Sequence, residues 1–411
     1  KTTSEVSAIL KGQPGTTVKL TIQSYGETST VEKNVVREEI KLPNIPYADK
    51  VADDIAYIQL NQFTENAAKE LREAFIRQKE QGAKALIIDL RGNGGGLLQE
   101  AVLIMNLFVD KNNTIVSTKG KLREKNFDHK TVFPALDLNI PIAVLVDNNS
   151  ASASEIVAGS FQDLDRGVII GQRTYGKGLV QNVVPLAYNT RMKVTISKYY
   201  IPSGRCIQAI DYSDKTEGKK HKKVADSTAV AFKTKNGRIV YDRGGIEPDI
   251  VVPNPKSVPI IGSLYQKYFF FDFANKYFKK HPTIPSAKQF TITDEIYNDF
   301  VAFVKQSADH EYTTQSEKLL TALKDATEEE QYFEAIKEDY QKLHQKLLTE
   351  KEHDLIKYKK EISFILRSEI VSRYYYQKGQ IEVVLSDDPE LQKAIELLHN
   401  TKQYKAILKT K

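Results

Sequence analysis

Cysteine, methionine and long apolar runs are scarce in this sequence. Cys206 is the one cysteine among 411 residues, so an intrachain disulfide is impossible and the redox compartment stays open. The longest apolar runs, such as residues 140–146 and 268–271, fall short of the roughly 18 residues that a membrane-spanning helix needs. The two methionines are Met105 and Met192, so position 1 is not a translation start and we expect any signal peptide to lie outside this sequence.

Histidines and metal-ligand spacings are also sparse. Of the seven histidines, His129 and His221 alone lie in the part of the chain that alternates strands with helices, and both sit in charged stretches. A Ser-His-Asp triad is therefore poorly supported. There is no H-E-x-x-H or C-x-x-C pattern, which argues against a metal centre. The net charge of +6 is spread thinly, and the basic stretch 219–223 lacks interleaved aromatic residues, so nucleic acid is not an expected partner.

The composition is that of a folded protein with several domains. Hydrophobic residues make up 41% and charged residues 27%, enough to bury a core. The 411 residues allow about two to four domains. The opening segment predicts a helix at residues 4–11 with Ser4 as N-cap, then strands at 17–22 and 29–36. This segment is too small for an independent domain.

Residues 50–253 alternate predicted strands with helices, which is the pattern of an α/β fold. Continuous apolar runs predict strands that are buried on both faces. In chain order the main elements are a helix at 64–81, a strand at 85–90, a glycine-rich turn, a helix at 97–109, a strand at 140–146, a Ser/Ala turn and a helix at 155–164.

Beyond Pro253 the sequence turns to long, charged helical stretches. Thr327 and Glu330 match a capping box, and the helix predicted to follow carries an apolar stripe that needs a partner. Further helices are predicted at 363–376 and from Pro389 onward. We interpret this region as scaffold or oligomerisation surface.

The first candidate site is the turn after the strand at 85–90, which contains Gly92, Gly94, Gly95 and Gly96. Glycines let a backbone approach a ligand closely, and the following helix N-terminus favours negative charge. The turn matches neither the dinucleotide-binding nor the P-loop spacing. It indicates either an anion or oxyanion site, or a tight connection without a ligand.

The second candidate is the turn with Ser150, Ser152 and Ser154, which also lies between a buried strand and a helix. A serine here would present its hydroxyl at the carboxyl edge of the sheet. The alternative is that these serines only cap the helix, with Ser154 as the natural N-cap.

The third candidate is Lys177, which stands between Gly176 and Gly178. If it were buried beside a serine, loss of water would favour its neutral amine, which could act as a general base. The alternative is a solvated loop lysine. Because histidines are poorly placed, Ser-Lys is the economical catalytic pairing.

These motifs resemble those of the C-terminal processing (tail-specific) proteases, serine peptidases of family S41, and above all their exported bacterial members with an N-terminal PDZ domain. The matching segments are 12–16, 57–60, 89–93, 150–155, 174–181, 198–205 and 245–250. The resemblance implies an α/β protease core of the crotonase/ClpP-like ββα type. It further implies the C-terminal half of a PDZ domain at 1–40, an S41 catalytic domain at 41–255 and a helical C-terminal domain at 256–411.

The resemblance also assigns catalytic roles. Ser152 matches the family's nucleophile and Lys177 its general base, while Gln181 matches the glutamine that supports the lysine. Thr174 matches an assisting threonine. No metal or other cofactor is implied.

The oxyanion hole implied by the resemblance consists of the backbone N–H of Ala153 and that of Gly95 or its neighbour Gly94. Gly94 stands where the family commonly has proline. The expected substrates are proteins with apolar C-terminal tails, captured by strand addition in a PDZ groove. The resemblance also allows a homo-oligomer through the C-terminal helices, an adaptor or activating partner, and a location in the periplasm or on the periplasmic side of the membrane.

Two other functions fit the same core. The chain could be a non-catalytic peptide-binding protein, or a crotonase-like enzyme acting on acyl thioesters. Loss of peptidase activity on Ser152→Ala would separate the peptidase from both, and acyl-CoA binding would favour the second.

Overall fold

The computed structural model describes residues 2–40, 42–121, 123–210, 229–242, 244–253, 258–307 and 312–409. His221 and the basic stretch 219–223 lie outside the described residues. The chain divides into two compact units: a helical unit formed by residues 1–41 and 255–387, and a sheet unit formed by residues 42–254 and 388–411. Among the described residues, no helix combines the length and apolarity needed to cross a membrane.

The helical unit begins with α1 (Thr3–Leu10), β1 (Thr17–Gln23) and β2 (Thr30–Val36). Thr2, rather than the predicted Ser4, is the N-cap of α1, because Thr2 and Glu5 exchange capping hydrogen bonds. The two strands pair antiparallel as a hairpin. The assignment of residues 1–40 to half of a PDZ domain stays a prediction.

The sheet unit supplies the elements from residue 47 to residue 251. These are β3 (Tyr47–Ala52), β4 (Ile55–Gln59), α2 (Ala67–Glu80), β5 (Ala85–Asp89), α3 (Leu98–Asn106), β6 (Thr114–Lys119), a 3-10 turn (Arg123–Lys125), β7 (Phe127–Lys130), β8 (Ile142–Val146), α4 (Ala153–Asp163), β9 (Val168–Gly171), β10 (Leu179–Pro185), β11 (Arg191–Tyr200), β12 (Ala231–Lys233), β13 (Ile239–Tyr241) and β14 (Ile250–Val251).

A six-stranded sheet in the order β14-β9-β8-β5-β4-β3 forms the centre of this unit. Within this sheet, β14, β9, β8, β5 and β4 run parallel to one another, and β3 pairs antiparallel with β4 at the edge. All residues of β5 and β8 are buried, which confirms the prediction from their apolar runs. A parallel sheet needs cover on its faces, and in its core the rings of Phe75 and Phe108 pack edge to face, while Phe108 also packs at a tilt against Phe161. A second sheet has the order β10-β11-β6-β7.

Helix α2 begins at Ala67, three residues later than the sequence predicted. Thr64 cannot cap it, because its hydroxyl donates to Asn44 Oδ1 at 2.7 Å. Asn66 instead takes a left-handed conformation, with φ of 71°, immediately before the helix.

The helical unit continues with seven helices over the described residues from 259 to 386. These are α5 (Pro259–Gln266), α6 (Phe269–Lys280), α7 (Asp294–Gln306), α8 (Gln315–Glu329), α9 (Phe333–Glu352), α10 (Asp354–Lys357) and α11 (Lys359–Ser386). Phe270 stacks on Phe300 in their core, with ring centroids 5.4 Å apart. Helix α11 contains a kink at Tyr376, where φ is 53° and ψ is −151°.

The capping box predicted at Thr327 is wrong. Thr327 lies near the end of α8, and its hydroxyl donates to the carbonyl of Leu323 at 2.8 Å. The chain turns at Gln331, whose φ is 62°, before α9 begins. The capping box of α8 is instead formed by Thr314 and Glu317.

The last two helices, α12 (Pro389–His399) and α13 (Thr401–Leu408), belong to the sheet unit. Leu391 and Leu398 are buried, and the Tyr404 hydroxyl accepts from Ile142 N–H at 2.9 Å and donates to Ile142 O at 3.1 Å. The sequence placed these helices in a domain at 256–411. Their apolar faces cover the sheet instead, so the boundaries expected at 41–255 and 256–411 differ from the two units of the structure.

Candidate active site

Three loops leave the carboxyl ends of neighbouring parallel strands. The glycine turn (residues 90–97) joins β5 to α3, the serine turn (147–152) joins β8 to α4, and the lysine loop (172–178) joins β9 to β10. Because β5, β8 and β9 are adjacent in the sheet, their carboxyl ends lie at the same edge, where α/β proteins bind ligands. The topology therefore gathers the three motifs singled out in the sequence.

Backbone hydrogen bonds connect the three loops. Ala151 N–H donates to Asn93 O at 3.0 Å, which joins the serine turn to the glycine turn. Tyr175 N–H donates to Ser150 O at 3.1 Å, which joins the lysine loop to the serine turn. The loops thus form one connected structure.

The three serines of the serine turn have different roles. Ser150 is buried and its hydroxyl donates to Leu90 O at 2.8 Å, while Ser154 is buried and donates to Asn93 O at 2.8 Å. Both hydroxyls are therefore committed to holding the glycine turn. Ser152, the residue before α4, is the N-cap and is partly exposed. Ser152 is the serine of this motif whose hydroxyl suits chemistry.

The backbone at Ser152 is strained. Its φ is 58° and its ψ is −113°, a conformation that residues with a Cβ rarely adopt. Gly95 lies against it: with φ of 96°, a Cβ added at Gly95 would stand 2.8 Å from Ser152 Cβ and 2.6 Å from Ala151 O. A glycine is required there because the two turns are in direct contact.

The Glu155 carboxylate joins the serine turn to the lysine loop. Its Oε2 accepts from the N–H groups of Ser152 and Lys177, both at 2.9 Å. Its Oε1 accepts from the Thr174 hydroxyl at 2.6 Å and from Gly176 N–H at 2.7 Å. Burial raises the pKa of Glu155, although the four hydrogen bonds oppose that shift. One buried carboxyl group therefore fixes the backbone of both predicted catalytic residues.

The predicted oxyanion donors lie beside Ser152. Ala153 opens α4, and the first N–H groups of a helix have no intrahelical acceptor. The N–H of Gly95 donates to Asn93 Oδ1 at 2.9 Å. Gly94 is exposed and borders an open pocket of about 370 Å³. Of the two glycines, Gly94 thus has the better access to a ligand.

Lys177 borders the same pocket, and its side chain is exposed. Among the described hydrogen bonds, none joins the Lys177 ammonium to the Ser152 hydroxyl. The burial that would activate this lysine is therefore not present in this structure. The backbone of Lys177 is nevertheless fixed, because Tyr199 donates its hydroxyl hydrogen to the Lys177 carbonyl.

The two supporting residues take different positions. Gln181 is exposed, borders the pocket with Lys177, and donates to Thr195 Oγ1 at 3.3 Å. It lies beside a β-bulge between Val180 and Gln181. Thr174 is buried and its hydroxyl bonds to Glu155 rather than to the lysine side chain. Thr174 thus supports the site through the carboxylate.

Two segments of the chain match known families. Residues 54–217 match peptidase family S41. This segment, which contains all three active-site loops, is thus similar to peptidase family S41. Residues 260–398 match the C-terminal helical domain of probable PDZ-proteases. The family resemblance inferred from the sequence motifs is thereby confirmed.

Curated relatives of this chain are bacterial C-terminal processing proteases. The carboxy-terminal-processing protease of Bartonella bacilliformis is 38% identical over 214 residues, which cover 51% of this chain and 49% of that protein. The carboxyl-terminal-processing protease of Picosynechococcus sp. is 38% identical over 202 residues, 48% of either chain. This chain therefore spans about half the length of these relatives. Among solved structures, the photosystem II D1 C-terminal processing protease matches at 24% identity over 60% of this chain and 58% of that one, with a TM-score of 0.40.

Sequence reasoning missed two residues of this site, Glu155 and Tyr199. Glu155 follows Ser152 by three positions, the spacing of a capping box, so the motif itself held the signal. Tyr199 is fully buried in β11, and its hydroxyl also lies 3.4 Å from Ser152 O. Burial raises its pKa well above the usual value, so the hydroxyl stays a neutral donor. Tyr199 lies in the matching segment 198–205, but that segment assigned no role to its hydroxyl.

Proposed function

We propose that this chain is a serine endopeptidase in which Ser152 is the nucleophile and Lys177 the general base. The observation that carries the proposal is the Glu155 bridge, which holds the N–H groups of Ser152 and Lys177 on one carboxylate oxygen, each at 2.9 Å. A network of this kind has no evident use in a loop that only connects strands. The match of residues 54–217 to peptidase family S41 supports the same roles.

In the proposed reaction, neutral Lys177 takes the hydroxyl proton of Ser152 as Oγ attacks the carbonyl carbon of a peptide bond. The oxyanion that forms accepts from Ala153 N–H and from the N–H of Gly94 or Gly95, and the access of Gly94 to the pocket favours it. The C–N bond then breaks, the protonated lysine returns the proton to the leaving amine, and an acyl-enzyme remains. Water hydrolyses this ester with the lysine again acting as base.

Because the Lys177 side chain is exposed, we propose that the bound substrate has a second role. A peptide in the pocket displaces water from around the lysine side chain, which favours the neutral amine. We therefore propose that substrate binding completes the catalytic pair and that Gln181, on the same pocket wall, orients the lysine.

The test is cleavage of a loosely folded reporter protein with an apolar C-terminal tail. We expect Ser152→Ala and Lys177→Ala to lower kcat by at least about a thousandfold. The matched control is Lys193→Ala, which removes an exposed lysine from β11 and should leave kcat within about twofold. A parent without activity, or a Ser152→Ala variant that still cleaves, would contradict the proposal. Peptide binding without cleavage would then support a peptide-binding protein, and acyl-CoA binding a crotonase-like enzyme.

We also propose the substrate class, partners and location that the relatives suggest. The substrates are proteins with apolar C-terminal tails, and residues 1–40 are the C-terminal part of a PDZ domain that captures such tails. The protein is exported, it forms a homo-oligomer through its C-terminal helices, and an adaptor or activating partner assists it. Replacing the apolar reporter tail with a charged one should lower the cleavage rate, and light scattering on the purified chain should report its oligomeric state.

A further inference from the structure

The Arg91 guanidinium lies among three carboxylates at the start of the glycine turn. Its Nε and Nη2 donate to Asp89 at 3.0 Å and 2.6 Å. Its Nη2 and Nη1 also donate to the two oxygens of Asp388 at 2.6 Å and 3.0 Å, and Nη1 donates to Glu390 at 3.1 Å. The side chain of Asp388 is 4% exposed, so this cluster is largely shielded from water.

Asp388 and Glu390 belong to the first turn of α12. Asp388 is the N-cap and accepts from Leu391 N–H at 3.0 Å. The second oxygen of Glu390 accepts from Gln172 Nε2 at 3.2 Å. Gln172 opens the lysine loop, whereas Arg91 lies in the glycine turn. The first turn of α12 therefore binds a residue from each of two active-site loops.

The electrostatics favour a tight contact. Burial opposes ionisation of Asp388, but the hydrogen bond and charge of Arg91 outweigh it and lower the pKa of this carboxyl. Burial and the neighbouring charge of Asp388 raise the pKa of Glu390. A guanidinium held by bidentate carboxylate contacts has little freedom to rotate.

The position of Arg91 affects the turn that follows it. The next residue, Gly92, has a φ of 69° and donates its N–H to Asp147 Oδ1 at 3.0 Å in the serine turn. Asn93 is fully buried, and its carbonyl accepts from Ala151 N–H. A shift of Arg91 would therefore pass directly into the backbone beside Gly94 and Gly95.

We infer that Asp388 and Glu390 are positioning residues, which hold the glycine turn and the lysine loop in register from the first turn of α12. The inference rests on the proposed function, because it assigns the two acids to the same active site. Neither acid touches the reacting atoms; both act through Arg91 and Gln172.

The test uses the full chain with the double variant Asp388→Asn and Glu390→Gln. Asparagine caps helices as well as aspartate does, so α12 keeps its N-cap while the charge on Arg91 is lost. We expect kcat to fall about 10- to 100-fold, as for lost supporting contacts in other sites, with KM within about twofold. Asp388→Glu, which keeps the charge, should retain more activity than Asp388→Asn.

The matched control is Tyr404→Phe. It removes both hydrogen bonds between α13 and Ile142, at the opposite end of β8 from the serine turn. This variant should lower the unfolding midpoint without changing kcat. A similar loss of kcat in Tyr404→Phe would mean that helix docking in general is needed, and would overturn the inference.

Amide hydrogen exchange provides a measurement that does not depend on peptidase activity. In the double variant, peptides covering residues 92–95 and 173–177 should exchange faster, and in Tyr404→Phe they should not. That result supports the inference even if the parent cleaves nothing, in which case the proposed function alone fails. Unchanged exchange in both loops of the double variant would overturn the inference. If the parent does cleave, a double variant with the same kcat as the parent would also overturn it.

Discussion

The Glu155→Gln variant measures how far the site depends on its bridging carboxylate. The carboxylate accepts four hydrogen bonds, at 2.6 to 2.9 Å, whereas a glutamine side chain offers one acceptor oxygen and one NH₂ group. If the oxygen stays with Thr174 and Gly176, the amide hydrogens face the N–H groups of Ser152 and Lys177. Two partly buried donors then lose their acceptor, at about 1–3 kcal/mol each.

The free-energy cost of Glu155→Gln should appear partly as lower stability of the fold and partly as lower kcat. A neutral amide costs less to bury than a carboxylate, which offsets part of the loss in the folded state. We expect the unfolding free energy to fall by about 1–3 kcal/mol. If about 2.7 kcal/mol of the loss enters the transition state, kcat falls about 100-fold.

The assay is kcat on the reporter protein, with denaturant unfolding measured in parallel. Glu100→Gln is the matched control, because Glu100 is also buried but accepts from a single backbone N–H, that of Ala68 at 2.8 Å. Its kcat should stay within about twofold of the parent. A Glu155→Gln enzyme that retains more than about a third of the parental kcat would refute the reasoning.

Three further predictions follow from the same geometry. Gly95→Ala should lower kcat by about 100-fold or more, because a Cβ there meets the serine turn at 2.6 Å, whereas Gly94→Ala, with open space around its Cβ, should keep its fold and have a smaller effect. Asp163→Asn should lower the unfolding free energy in urea by about 3–5 kcal/mol, because it leaves the buried Arg205 guanidinium, paired at 2.8 Å, without its counter-charge; a loss below about 1 kcal/mol would contradict this. Burial raises the pKa of Glu155, so kcat should fall as the pH drops through that raised value, because protonation removes an acceptor. The folded state then binds more protons than the unfolded state, so this group's contribution to stability falls as the pH rises above the ordinary pKa of glutamate; urea unfolding of parent and Gln variant across that range should show the difference.

Much of the sheet unit could be predicted from the sequence, because a few patterns dominate it. The apolar runs of β5 and β8 allow little other than buried parallel strands. Once those strands are placed side by side, their following turns must meet at one edge. The convergence of the glycine and serine turns therefore followed from local pattern and topology together.

The remaining features depend on tertiary contacts that no local pattern encodes. The capping-box spacing of Ser152 and Glu155 indicates a helix start, but not that the same carboxylate reaches the lysine loop. Thr327 carries a capping signature, yet the chain turns at Gln331 and leaves it near a helix end. Where α12 returns to the sheet, its N-cap Asp388 accepts from Arg91, nearly 300 positions earlier in the sequence.

The division of the sheet unit into residues 42–254 and 388–411 has a consequence for biosynthesis. While the ribosome is still making the helical unit, β8 and β9 have been synthesised, but the helices that pack against them have not. Emerging chains therefore pass through a stage in which apolar sheet surface is uncovered and the loops at its edge lack their final contacts. The sheet unit therefore reaches its native packing only after residues 388–411 have been made and α12 and α13 have docked on it.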